Sequence, residues 1–75
     1  MERLIKIETK EKVQRICELA TYSPYEVWLS VDDEHLDARS ILGLFSLVGK
    51  EVHVVVEDDV DRDSFNKLMD AIEAK

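Results

Sequence analysis

The sequence predicts an α+β fold, an open-faced β-sandwich. An antiparallel four-stranded sheet is covered on one face by three helices, in the order βαββαβα. Three observations carry this. The strand-like stretches alternate apolar and polar residues, the pattern of a sheet with one dry and one wet face, and so of antiparallel pairing. Three other stretches repeat apolar residues at helical spacing, enough to cover the dry face. The length of 75 residues leaves room for a single domain, residues 1–75.

Leu4, Ile5 and Ile7 mark a first strand over residues 2–8. Val13, Ile16, Cys17 and Ala20 follow at i, i+3, i+4 and i+7, one stripe of an amphipathic helix. Thr9 is placed to cap its N-terminus. Ser23-Pro24 ends it, because proline disfavours helical backbone in the residue before it. From Tyr25 to Val31 the side chains of Val27, Leu29 and Val31 point one way and those of Glu26, Trp28 and Ser30 the other. Asp32-Asp33 turns the chain into a brief strand, Glu34 to Ala38. Ser40 to Val48 reads as a short helix with Ser40 as N-cap and Gly49 just past its end. Val52, Val54 and Val56 alternate with His53, Val55 and Glu57 in the last strand. Phe65, Leu68, Met69 and Ile72 give the last helix, with Asp61 and Asp63 near its start, where the helix dipole favours carboxylates.

Composition excludes several classes. Ten Lys and Arg against 17 Asp and Glu give a formal charge of −7, which argues against a nucleic-acid partner, since such binding rewards clustered cations. The acid is concentrated after the first helix: residues 1–20 carry five basic and four acidic side chains, residues 21–75 five and thirteen. The blocks Asp32-Asp33-Glu34 and Glu57-Asp58-Asp59 read as solvated turns. Cys17 has no partner in the chain for a disulfide or a zinc site, which suits a reducing cytoplasm. Ile41 to Val48, the longest nearly apolar run, is too short to span a bilayer. Glu2, Arg3, Lys6 and Glu8 break the opening stretch, which does not read as a signal peptide. The expectation is a cytoplasmic protein with no membrane contact, no metal and no cofactor.

The middle helix is richer in apolar residues than docking on a sheet requires. Leu44, Leu47 and Val48 fall on one side of it, and Ile41, Leu42 and Phe45 on an adjacent side. The second set is either further core or a partly exposed docking patch, and periodicity leaves both open.

The order βαββαβα, together with Ala38-Arg39-Ser40-Ile41-Leu42-Gly43-Leu44-Phe45-Ser46-Leu47, closely resembles HPr, the histidine-containing phosphocarrier family of the bacterial sugar phosphotransferase system. The likeness runs with decreasing clarity from about Glu18 to the C-terminus. In that family a Lys/Arg-Ser-Ile-Met/Leu-Gly segment opens the second helix, and its serine is the site modified by HPr kinase/phosphorylase. By position the resemblance implies that Ser40 is the regulatory serine, and that Ile41, Leu42 and Phe45 are exposed residues around which partners dock. Arg39 is expected to contribute to recognition by a kinase or partner.

The other half of the family's chemistry is missing. HPr proteins carry Gly-Leu-His-Ala-Arg-Pro between the first strand and first helix, and its histidine takes phosphate from phosphoenolpyruvate through enzyme I. Here the stretch is Ile7-Glu8-Thr9-Lys10-Glu11-Lys12-Val13, shorter and without histidine, glycine or proline. Transfer needs an imidazole nucleophile at a helix N-terminus. Lys10, Lys12 and Arg15 can attract an anion there but cannot replace it. His35 and His53 lie on strands, away from such an end. The chain is therefore expected to have no phosphocarrier activity, like the catabolite-repression paralogues of HPr, and not to be an enzyme.

Three other features have plain readings. Asp58, Asp59, Asp61 and Asp63 lack the register and central glycine of a calcium loop. Cys17, on the apolar stripe, is expected to be buried and inert. Trp28, His53 and Val55 share the outward face of the sheet, either as an unremarkable surface or as an interface. The expectation is a regulatory, protein-interaction module of the HPr family, monomeric or weakly dimeric. Its partners would dock on the Ser40–Phe45 helix, with a kinase/phosphorylase or a transcriptional regulator as candidates. The alternative is a small-molecule-sensing or structural module on the same scaffold; an active phosphocarrier is the third reading.

Overall fold

A computed structural model describes residues 1–74. It contains β1 (Glu2–Lys6), α1 (Lys10–Tyr22), β2 (Val27–Val31), β3 (Glu34–Asp37), α2 (Ile41–Leu44), β4 (Glu51–Val56) and α3 (Arg62–Glu73). The four strands form one antiparallel sheet in the order β1-β4-β2-β3. The α+β architecture expected from the sequence is the one observed.

Local chemistry sets the element ends. The Thr9 hydroxyl accepts from the Lys12 N–H at 3.2 Å and starts α1. The Asp61 carboxylate accepts from the Ser64 N–H at 3.2 Å and starts α3. Asp32 and Asp33 form the two-residue turn between β2 and β3, with Asp32 at φ 54°, a left-handed conformation that aspartate tolerates. Gly49 takes φ 91° where the chain enters β4, and its N–H bonds the Ile7 carbonyl.

One core lies between sheet and helices. Ile7, Leu29, Val52 and Val54 come from the sheet side, Val13 and Ile16 from α1, Leu44 from α2, and Met69 and Ile72 from α3. Each such side chain contributes about 1.5–3 kcal/mol by leaving water. Among the described residues no polar or charged residue is buried.

Three sequence expectations are corrected here. The middle helix is one α-turn, Ile41–Leu44, followed by a 3₁₀ turn, Phe45–Leu47, so it is shorter than Ser40 to Val48 and Val48 is partly exposed. Its apolar residues lie on too many sides for one regular helix to bury them all. Cys17 is only half-buried, and its thiol points to the Arg39 carbonyl at 3.4 Å. Ser40 stands at the N-cap position, but its side chain makes no capping hydrogen bond.

Candidate functional site

The segment after β3 is folded by its own backbone. The buried Ala38 donates its N–H to the Val27 carbonyl at 3.0 Å, which pins the end of β3 to the sheet. The Ser40 N–H then bonds the Asp37 carbonyl at 3.0 Å, and the Ile41 N–H the Arg39 carbonyl at 3.1 Å. This tight turn projects Arg39 and Ser40 outward, and both are exposed. The Leu44 N–H closes the first turn of α2 on the Ser40 carbonyl at 3.1 Å.

Arg39 and Asp37 form a two-pronged ion pair, with Nε to Oδ1 at 3.1 Å and Nη2 to Oδ2 at 2.9 Å. The Arg39 backbone N–H adds a third bond to Oδ1 at 2.9 Å, and Glu26 approaches the guanidinium at 4.0 Å. The guanidinium hydrogen bond, joined by that N–H, holds the Asp37 carboxyl below the usual carboxylate range and raises Arg39 in turn. Asp37 and Glu26 escaped the sequence reading; the only signal was an acid two residues before Arg39 across a turn.

The three apolar candidates are placed unequally. Leu42 is 86% exposed, whereas Ile41 and Phe45 are half-buried and pack against the core. Ile41 also shares a shallow recess with Cys17, Thr21 and the exposed Tyr22 of α1. Gly43 leaves the Ser40 hydroxyl uncrowded: a Cβ built at Gly43 would sit 3.7 Å from Ser40 Oγ.

In the N-terminal half of α1 two of the three cations, Lys12 and Arg15, are engaged, and Lys10 is exposed. Lys12 Nζ pairs with Glu73 at 3.1 Å, and Arg15 donates to the carbonyls of Ile72, in the last turn of α3, and of Ala74, just past its end. Neither histidine is brought to this end. His53 of β4 and His35 of β3 flank Ser30 across the open face, and both are exposed. Trp28 lies opposite Val55 on the same face, as the alternation predicted. Among the described residues no cluster of three or more His, Cys, Asp or Glu side chains is gathered for a metal ion, and no helix is long and apolar enough to cross a membrane.

No protein-family model matches the sequence, and no curated protein matches it either. Solved structures do match the fold. HPr-C-His from Thermoanaerobacter tengcongensis superposes with a TM-score of 0.73 and 26% identity, over 97% of this chain and 91% of that one. The phosphocarrier protein HPr from Bacillus anthracis str. Ames superposes with a TM-score of 0.69 and 15% identity, over 97% of this chain and 96% of that one. With the fold matched over nearly the whole length of both, the chain is an HPr-like protein.

Proposed function

We propose that this HPr-like protein is a regulatory interaction module that is modified at Ser40 and carries no phosphohistidine. The observation that supports it best is the state of Ser40: exposed, uncapped, and two residues before the exposed Leu42. A serine needed to start a helix has its oxygen in use, as Thr9 does. The Ser40 oxygen is free to attack the γ-phosphorus of a nucleoside triphosphate. It would pass its proton to a kinase base as the diphosphate leaves.

A phosphate on Ser40 adds about −1.5 to −2 charges beside Ile41, Leu42 and Phe45. Four residues of α2 supply little dipole, so the recognition of that charge falls to cationic side chains, Arg39 or an arginine of a partner. A partner that covers Leu42 and offers arginine to the phosphate can thereby tell the two states apart.

The absence of carrier chemistry draws its support from the N-terminal part of α1. There Lys12 and Arg15 are taken up by α3, and no imidazole is at hand. Incubation with ATP and an HPr kinase/phosphorylase tests the proposal. Peptide mapping should find an acid-stable phosphoserine at Ser40 that is lost in Ser40→Ala. An unmodified Ser40, beside an HPr control that is labelled, would overturn it.

A further inference from the structure

β1 is an outer strand whose single strand neighbour is β4. The Met1 carbonyl accepts from the Val56 N–H at 2.9 Å, and the Ile7 N–H donates to the Lys50 carbonyl at 3.0 Å, so odd-numbered residues bond inward at both ends of the strand. Antiparallel alternation then leaves Glu2, Leu4 and Lys6 with their N–H and C=O groups pointing away from the sheet. The same three residues place their side chains on the open face, opposite in sense to the buried Ile5 and Ile7. Leu4 is 52% exposed, and Glu2 and Lys6 are exposed too.

We propose that this edge is a self-association surface, and that its occupant is β1 of a second copy, paired antiparallel about Leu4. In that register Leu4 meets Leu4 of the second copy, Glu2 meets the second copy's Lys6, and Lys6 meets its Glu2. These three pairs join residues with outward backbone groups, so each outward N–H finds an outward C=O, while Arg3 and Ile5, bonded inward to β4, face each other between them. The charge match and the hydrogen-bond phase select the same register. A slip of one residue sets inward-bonding residues against outward ones. A slip of two sets Leu4 against a charge and leaves one end of the strand without a partner.

Charged residues on an edge strand ordinarily repel foreign strands. Here the lysine that excludes others is matched by the glutamate of an identical chain, which makes the edge selective for itself and the interface two-fold symmetric. Arg3, on the helix-covered side, is folded back over the Phe65 ring at 5.5 Å and bonded to Asn66 Oδ1 at 2.9 Å, so it lies against α3 instead of across the edge. One short strand pair buries less than the ~1,600 Å² of a stable interface, so the dimer is weak and concentration-dependent. It joins two sheets into one and leaves Ser40 and Leu42 of both copies outside the contact.

Sedimentation velocity from micromolar to millimolar concentration tests this. The wild-type chain should sediment faster as concentration rises. Glu2→Lys and Lys6→Glu each set like charges together at both ends of the strand pair, and each should weaken association about tenfold. The double exchange should restore it, and an equimolar mixture of the two single variants should associate as a heterodimer. Leu4→Pro removes an outward N–H that β4 does not use, so it should abolish association while circular dichroism shows the fold retained. A wild-type chain that stays monomeric throughout, or a dimer indifferent to both charge reversals and to Leu4→Pro, overturns the proposal.

Discussion

Arg39 grips both carboxylate oxygens of Asp37, two residues before it, at 3.1 and 2.9 Å. The guanidinium next to Ser40 is therefore already bonded to the protein's own acid. A phosphate at Ser40 or a carboxylate on a partner must compete with Asp37 for it.

Asp37 should titrate below the usual carboxylate range, as followed by its side-chain ¹³C shift, and Arg39→Gln should return it upward. The folded value is the depressed one. Whatever the pair adds to stability is thus present above the unfolded pKa and fades as pH falls through the folded value. Both side chains are about half exposed, so solvent screens the pair and that contribution is small. A wild-type midpoint in the ordinary range would contradict the fork.

The two N-cap positions should behave differently. Thr9→Ala removes a hydroxyl that holds the Lys12 N–H, and should cost about 1 kcal/mol in urea unfolding. Ser40→Ala removes no capping bond and should stay within about 0.5 kcal/mol of wild type. Equal losses at both positions would mean that Ser40 has a structural role after all.

Leu44 and Leu42 differ by half a helical turn and should differ in full in their mutational cost. Leu44 is completely buried, and Leu44→Ala should destabilise by about 2–5 kcal/mol. Leu42→Ala should be nearly neutral to folding, yet should weaken binding to any partner of the Ser40 helix. Calorimetry of the two variants checks the first contrast, and titration with the partner the second.

The elements that depend on near neighbours in the chain were legible in advance. The alternation around Val27 and Leu29 and around Val52, Val54 and Val56 placed the sheet faces correctly. The Thr9 and Pro24 signals bounded α1 closely. The pattern overextends the middle helix, because Ile41, Leu44, Phe45 and Leu47 satisfy more than one period and the chain answers with a 3₁₀ turn. Of the motif residues, Ser40 and Leu42 are exposed, as the resemblance implies. The bonding of Arg39 depends on a turn, and the contact of Arg15 with α3 joins residues 57 and 59 positions apart. Tertiary contacts of that kind leave no periodic trace. The symmetry of β1 about Leu4 is plain in the sequence, but means nothing until the strand order places β1 at an edge.

We propose an HPr-like fold that serves regulation without phosphohistidine chemistry. Incubation with enzyme I and phosphoenolpyruvate, beside an HPr control and read by intact mass and acid lability, tests it most directly. The control should be labelled and this chain should not. An acid-labile phosphoryl group on this chain, at His35, His53 or elsewhere, would contradict it.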